Sequence, residues 1–565
     1  MYAELKKAWA EATSPGQMFE VQRINVRGVD ILSYVHAPGS LRDVWLSTAG
    51  HGDNDYLVFQ DERLSYTQAR AQVAALAASL ASMGVRQGDR VAIAMRNYPE
   101  WMLAHWAVTS MGAVVVGMNA WWVPHEMEYA LKDSEPRVLI ADEERLIRFD
   151  ELRSGFSSLK VIAVRSDYGV GDWAQSWGDL IAAGGDLPDA AIDPDADACV
   201  FYTSGTTGRP KGAQLTHRGC VNNIMNVAFI NSVQPRALAY AAGKEPPVPG
   251  ADPIRALVAT PLFHVTANNC VAQVTTLMGG KLVHMYKWDA LEALRLIQDE
   301  QISTFSAVPM MTREILMHPE FASYDTSSLK AMGGGGAAMQ PDLVGKVPEV
   351  MPAARPSTGY GMTETSGIIA ACSMGFFMDK PASVGPAMPT IEAKCVNAEG
   401  DTLAPMEIGE LVVRGAPIIK GYLNRPDATA ETIVDGWLHT GDIAYIDEEG
   451  FIVLVDRAKD MVLRGGENVY CAEVENAMFH HDSVAECVAF SVPDERLGEE
   501  VGAAIYLKPG AELDAEALRA HCKEYLATFK IPRYIWFCEE PLPRNANGKF
   551  VKRALQDSLA IADAS

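Results

Sequence analysis

The sequence predicts an α/β protein with a large N-terminal body and a smaller α+β C-terminal domain. Three observations lead there. From about residue 62, short apolar segments at 91–95, 137–141 and 161–164 alternate with helix-like stretches, as strands buried on both faces of a parallel sheet do. From about residue 410 the chain reads instead as extended segments joined by turns. Past Asp456, strand and helix signals mix over about 110 residues, enough for a separate domain.

The elements follow in order. Ser65 and Gln68 form a capping-box pattern, Ala69, Val73, Leu76, Leu80 and Met83 recur at spacings of four and three, and Gly84 stops this helix. The most apolar stretch, 106–123, is broken by Thr109, Ser110, Gly112, Gly117 and Asn119, so it reads as core and not as a membrane span. Further α/β units are expected from a strand at 281–285, a helix at 290–300 and a strand at 304–308. Residues 410–414 and 443–446 look extended, and Asp447-Glu448-Glu449-Gly450 turns the chain into a hairpin with 451–455. A glycine-rich loop at 463–470 then precedes a helix from about 472, strands near 484–491 and 501–507, and a final helix. The Pro-rich segment 245–253 reads as a surface excursion.

Of the 565 residues, 48% are hydrophobic and 21% charged, which excludes disordered, collagen-like and coiled-coil classes. Forty-eight Lys and Arg against 72 Asp and Glu leave a net charge of −24. Nucleic acid is therefore not an expected partner, and an anionic substrate needs local positive potential from the site itself. Nine scattered cysteines without a CxxC pair fit neither a disulfide framework nor a thiolate zinc site. The N-terminus has no apolar run of signal-peptide length, so a cytoplasmic location is expected.

Chemistry concentrates in a few runs. Tyr202-Thr203-Ser204-Gly205-Thr206-Thr207-Gly208-Arg209-Pro210-Lys211-Gly212 follows the apolar segment 198–201. Its hydroxyls and glycines can wrap donors around phosphate oxygens, with Lys211 as a point charge. It lacks GxxxxGK[ST], so it is not a Walker A loop. Such a composition alone would as readily make a linker; the buried strand before it and the Pro-Lys-Gly ending argue for a phosphate cradle. Gly333-Gly334-Gly335-Gly336, after the strand-like 329–332, let backbone approach a flat ring. Glu364 between two threonines, Asp442 in Thr440-Gly441-Asp442, and Lys549 after Asn547-Gly548 would each, in isolation, be ordinary surface charges.

Together these runs resemble the signatures of the adenylate-forming superfamily, which includes acyl-CoA synthetases, luciferases and the adenylation domains of peptide synthetases. Residues 202–212 look like its first motif, Tyr360-Gly361-Met362-Thr363-Glu364-Thr365 its second and Thr440-Gly441-Asp442 its third. Asp456-Arg457-Ala458-Lys459-Asp460 resembles its interdomain segment, and Pro543-Arg544-Asn545-Ala546-Asn547-Gly548-Lys549 its C-terminal lysine motif. The resemblance implies an N-terminal adenylation domain, 1–456, of parallel α/β sheets plus a small β-barrel-like part. A mobile C-terminal domain, 457–565, carries the lysine.

It also implies roles. ATP is held by Thr203, Ser204, Gly205, Thr206, Thr207, Gly208 and Lys211. On the adenine side stand Gly336, Ala337 and Ala338, with Tyr360 stacking. Gly359, Gly361, Met362 and Thr363 complete that side, Asp442 and Arg457 take the ribose, and Lys549 reaches the α-phosphate. Glu364 and Thr206 hold Mg²⁺; Lys549, Lys211, Thr206 and Glu364 are the implied catalytic set. Phe263, His264, Val308, Pro309, Gly359 and Gly361 border the acyl pocket. Gly465, Gly466, Glu467 and Asn468 line the CoA path, and Lys459 is the hinge.

The implied reaction joins a carboxylate to ATP, giving acyl-AMP and pyrophosphate, then passes the acyl group to coenzyme A. A fatty or other aliphatic acid is the expected substrate, since no acidic residue in these motifs offers to hold an amino group. An aryl or aryl-propenoic acid, or loading of a carrier protein, are the alternatives. Expected partners are the acid, ATP and CoA, with assembly as a homodimer left open.

Overall fold

The structure is a computed structural model that describes the chain except residues 204–208, 248–252, 336–338, 340, 466 and 545–549 and the side chains of 341, 342 and 562. Two compact units form: 1–392 with 413–438, and 393–412 with 439–565. The chain passes between them inside the strands Ile391–Val396, Gly409–Gly415 and Trp437–Ile446.

Besides the two-stranded hairpin Val21–Val26 and Val29–Tyr34, the larger unit contains two large sheets with helices around them. In the seven-stranded sheet the order is Lys211–Thr216, Asp197–Thr203, Val114–Gly117, Arg90–Ala94, Val138–Asp142, Lys160–Val164 and Ala174–Ser176. All pairs are parallel except the first, a hairpin. The predicted helix is Tyr66–Ser82, with both hydrogen bonds of the Ser65–Gln68 capping box in place. The apolar stretch resolves into the helix Pro99–Ser110, buried over almost its whole length, and the strand Val114–Gly117. Trp106 stacks on Trp45 at 5.4 Å and donates its indole N–H to the Tyr56 hydroxyl at 2.8 Å. Each such buried aromatic contributes about 1.5–3 kcal/mol by leaving water, provided its polar atom is paired.

The eight-stranded sheet runs Gly367–Ser373, Arg355–Met362, Ala331–Gly335, Thr304–Ser306, Arg255–Val258, Lys281–His284, Asp55–Phe59 and Glu62–Ser65. Its inner pairs are parallel and both edge pairs antiparallel. Here the glycine run departs from expectation. Gly333, Gly334 and Gly335 do not follow the strand; they are its end. A Cβ on Gly334 would lie 1.6 Å from the Ala307 carbonyl oxygen, and one on Gly333 2.0 Å from that of Ser357. Neighbouring backbone, not a ligand, requires glycine at these two positions.

In the smaller unit, residues 442–446 of Trp437–Ile446 pair antiparallel with Phe451–Arg457, as the acidic turn predicts. The segment expected to be a glycine-rich loop is instead a tight hairpin of Val462–Arg464 and Glu467–Val469, with Gly465 at φ +60°. The helix Cys471–Phe479 packs on the long pair Val484–Asp494 and Gly498–Leu507, to which Tyr534–Cys538 adds in parallel. Val474, Met478, Cys487, Ile505 and Ile535 form its separate core. Among the described residues, no helix is long and apolar enough to cross a membrane.

Candidate functional site

Ligands of open parallel sheets collect outside the carboxyl ends of the strands. In the eight-stranded sheet, four neighbouring strands end in sequence-predicted site residues. Arg255–Val258 leads into Pro261, Leu262, Phe263 and His264; Thr304–Ser306 into Val308 and Pro309; Ala331–Gly335 into 336–338; and Arg355–Met362 itself carries Gly359, Tyr360 and Gly361 before Thr363 and Glu364. Phe263 is buried, its ring 4.5 Å from that of His264 and edge-on to Trp121 at 5.5 Å.

Two glycines assigned to the acyl pocket differ. A Cβ on Gly361 would meet the Gly367 carbonyl oxygen at 1.9 Å, so backbone alone demands glycine there. Among the described residues, a Cβ on Gly359 would find only Ile368 Cγ2, at 3.7 Å, and that position borders space.

The phosphate-cradle run is the connection of a hairpin. Tyr202 and Thr203 end the strand Asp197–Thr203, and Lys211 begins the next, so the run does not start as loop. Tyr202 is buried with its hydroxyl donating to Asp133 at 2.9 Å; burial raises its pKa, and it is a structural anchor. On the other side Tyr129 donates to the Pro210 carbonyl at 2.9 Å. Ser204, Gly205, Thr206, Thr207 and Gly208 lie outside the described residues, as do Gly336, Ala337, Ala338, Gly466 and Lys549.

A segment that sequence reasoning passed over ties the first motif to the second. Residues 419–423 run beside 212–214: Gln214 N–H donates to the Gly421 carbonyl at 2.9 Å, and Leu423 N–H to that of Gly212 at 2.7 Å. Ile419 N–H donates to the Glu364 carbonyl at 3.0 Å. Tyr422 is thereby held between the motifs. Its hydroxyl donates to Glu364 Oε1 at 2.7 Å, and Lys211 Nζ stands 4.9 Å from its ring centre. Burial, then the Glu364 charge, raises the Tyr422 pKa, which keeps the hydroxyl a donor. The residue left no sequence signal beyond an aromatic after a glycine.

Glu364 sits in the short 3₁₀ turn Thr363–Thr365. Among the described residues no three His, Cys, Asp or Glu form a metal cluster. Mg²⁺ needs none: it is held by one or two carboxylates together with substrate phosphates. A single carboxylate, oriented by the Tyr422 hydroxyl, fits that donor set.

The remaining predicted residues belong to the smaller unit. Thr440-Gly441-Asp442 is strand and not a turn, with Asp442 directly opposite Arg457. Arg457 Nε stands 3.0 Å from Asp442 Oδ1, so the two residues assigned to the ribose hold each other. Asp442 is 6% exposed and Arg457 45%. Lys459 is exposed, yet desolvation lowers its pKa. Gly465 N–H donates to the Leu497 carbonyl at 2.8 Å, and Arg464 makes a two-pronged pair with Glu500, so the hairpin bearing Glu467 and Asn468 is anchored.

Both flanks of 545–549 are closed on one another. Arg544 and Phe550 form a β-bridge, the guanidinium lies 3.8 Å from the Phe550 ring centre, and Glu486 accepts from Arg544 Nη2 at 3.0 Å.

A family model for AMP-binding enzymes matches residues 44–423, and one for the AMP-binding enzyme C-terminal domain matches 473–549. The chain belongs to the AMP-binding enzyme family. It is 35% identical over 489 residues to a feruloyl-CoA synthase of Amycolatopsis sp., covering 86% of this chain and 92% of that one. It is 33% identical over 543 residues to a long-chain-fatty-acid–CoA ligase of Bacillus subtilis, covering 90% and 92%. Among solved structures, o-succinylbenzoate CoA synthetase from Bacillus subtilis with its acyl-adenylate intermediate superposes with a TM-score of 0.76 at 28% identity, over 91% of this chain and 98% of that one. An anthranilate CoA ligase bound to anthranoyl-AMP shares the fold, with a TM-score of 0.81 at 24% identity over 93% and 98%.

Proposed function

We propose that this AMP-forming acid–CoA ligase activates an apolar carboxylic acid, a fatty or other aliphatic acid, at the carboxyl ends of the eight-stranded sheet. The observation that carries the reading is the Lys211–Tyr422–Glu364 grouping, which joins the phosphate-cradle run to the second motif. In the first step a substrate carboxylate oxygen attacks the α-phosphorus, and the bond to pyrophosphate breaks. Lys211 and Lys549 hold the charge that develops on the phosphate oxygens, and the donors of 203–208 orient the triphosphate. Mg²⁺, held by Glu364 with Thr206, would neutralise charge on the phosphates. Asp442, steadied by Arg457, accepts from the ribose hydroxyls, and Gly336, Ala337, Ala338 and Tyr360 flank the adenine. In the second step the CoA sulfur, losing its proton, attacks the acyl carbonyl and AMP leaves.

The two steps need different neighbours around one carbonyl. Domains 1–456 and 457–565, with Lys459 as hinge, supply them in turn: Lys549 serves the first step, and Gly465, Gly466, Glu467 and Asn468 line the thiol's path in the second. Phe263, His264, Val308, Pro309 and Gly359 border the acyl chain. A second reading, an aryl-propenoic substrate, is favoured by the feruloyl-CoA synthase relatives. Pyrophosphate release from ATP across aliphatic acids of graded length and cinnamate-type acids, with and without CoA, tests both. Activity confined to the aromatic set would replace the first reading by the second; no pyrophosphate with any acid would overturn the mechanism.

A further inference from the structure

Two buried asparagines connect the acid end of this site to its phosphate end. Just after the loop carrying Phe263 and His264 the chain makes a π-helical turn, Asn268–Ala272, before the helix Gln273–Leu277. Such turns are rare and recur where side chains must be aimed. Here Asn268 and Asn269, both fully buried, bond to different segments. Asn268 Nδ2 donates to the Leu262 carbonyl at 3.1 Å, its backbone N–H donates to the His264 carbonyl at 3.0 Å, and Gln273 Nε2 fixes its Oδ1 at 2.8 Å. Asn269 Nδ2 donates to the Ser366 carbonyl at 2.9 Å. The Asn269 carbonyl accepts from Asn223 Nδ2 at 3.0 Å, and Asn223 Oδ1 accepts from Ile368 N–H at 2.9 Å.

The far end of this chain of bonds is the turn that presents Glu364. Ser366 stands at φ +52° and Gly367 at φ +144°, so the backbone leaves regular geometry two residues after the carboxylate. A left-handed serine persists only where its surroundings hold it, and a buried carbonyl needs a donor. Asn269 supplies that donor and Asn223 grips the residue beyond.

We infer that Asn268 and Asn269 are positioning residues that set the acid-binding loop and the Glu364 turn at a fixed separation. The inference rests on the reading that Phe263 and His264 border the acid and that Glu364 serves the metal. Asn268 governs the first and Asn269 the second, each through other residues. A merely structural pair would, on truncation, lower stability without separating these effects.

Full-length variants are compared by calorimetric binding of α,β-methylene ATP, which cannot be cleaved at the α-phosphorus, across a Mg²⁺ titration. The apparent KM of decanoate and of ferulate is measured alongside. Asn269→Ala weakens the Mg²⁺-dependent part of nucleotide binding about tenfold, the effect of one lost buried hydrogen bond, and leaves binding in EDTA and the acid KM near wild type. Asn268→Ala raises the KM of the acid used about tenfold and leaves nucleotide binding near wild type. Where an alanine variant does not accumulate, Asn→Asp at the same position, equal in size but without the amide donor, carries the comparison. Asn226→Ala is the control: it removes a buried amide bonded to Tyr34 and Thr390, and should lower thermal stability with neither shift. If the Asn268 and Asn269 variants behave like that control, or disturb both ends equally, the positioning role is wrong. Glu364→Gln separates the two levels: an unchanged Mg²⁺ dependence there removes the underlying reading, whereas its loss alongside an unaffected Asn269→Ala removes only the inference.

Discussion

Tyr422 donates its hydroxyl hydrogen to Glu364 Oε1 at 2.7 Å while its ring faces Lys211 at 4.9 Å. One side chain thus orients the candidate metal carboxylate and limits where the lysine can swing. Tyr422→Phe keeps the ring and removes only the hydrogen bond to the charged oxygen. The free carboxylate then samples other rotamers, a loss of about 1–2 kcal/mol in its fixed form. The Mg²⁺ concentration for half-maximal pyrophosphate release should rise roughly fivefold to thirtyfold, with thermal stability changed little. An unchanged Mg²⁺ requirement would reduce Tyr422 to packing.

Gly359 and Gly361 alternate along one strand, yet of the two only Gly359 has room beside it among the described residues. Gly359→Val should narrow the acyl pocket. Each displaced methylene of substrate changes discrimination by about 1–3 kcal/mol, so kcat/KM should fall tenfold or more for long or bulky acids and less for short ones. Gly361→Ala should instead reduce folded protein, because its Cβ meets a carbonyl oxygen that belongs to the sheet. A Gly359→Val enzyme with an unaltered acid profile would place the acyl chain elsewhere.

Much of this was legible in the sequence because it is local. The capping box at Ser65, the buried strand segments and the acidic turn at 447–450 are written in neighbouring residues, and the structure realises each. Helix and strand signals failed where backbone, not side chains, decides. The glycines at 333–335 look like a loop, but their lack of Cβ is what lets three strands close up. The hairpin around Gly465 looked like a loop for the same reason. Tyr422, Asn268 and Asn269 were missed because their roles exist only once segments distant in sequence are adjacent: an amide or phenol carries no mark of the partner it will meet.

Three histidines make the larger unit acid-sensitive. His105, His217 and His284 are buried, which pushes their pKa values down to about 3, 4 and 3. Leu41 N–H donates to His217 Nδ1 at 3.2 Å, a bond that requires this nitrogen to be unprotonated. The folded state therefore favours neutral rings, while the unfolded chain binds protons at about pH 6.5. Their stabilising contribution is complete above pH 6.5 and is lost as the pH falls from there toward the folded values. Between pH 6.5 and 5 each costs about 2 kcal/mol. Urea unfolding at stepped pH should show stability falling across that window, and His284→Leu should make the fall shallower by about one proton. Stability that is flat from pH 6.5 to 5 would mean these rings are protonated in the fold or that water reaches them.

The last prediction concerns Lys549. Arg544, bridged to Phe550 and paired with Glu486, ties together the two residues that flank 545–549. A lysine that acts only while the α-phosphorus is attacked should matter in one half-reaction. Lys549→Ala should slow pyrophosphate release about a hundredfold or more, the usual effect of removing one preorganised charge from a transition state, and leave thioester formation from supplied acyl adenylate within about threefold. Arg544→Ala loosens the two flanks of 545–549 from each other and should slow the same step by a smaller factor, about tenfold. Stopped assays of each half-reaction with purified acyl adenylate and CoA read both variants. Equal losses in the two half-reactions for Lys549→Ala would show that the lysine supports binding common to both steps; an Arg544→Ala enzyme indistinguishable from wild type would show that the collar does not hold the lysine in place.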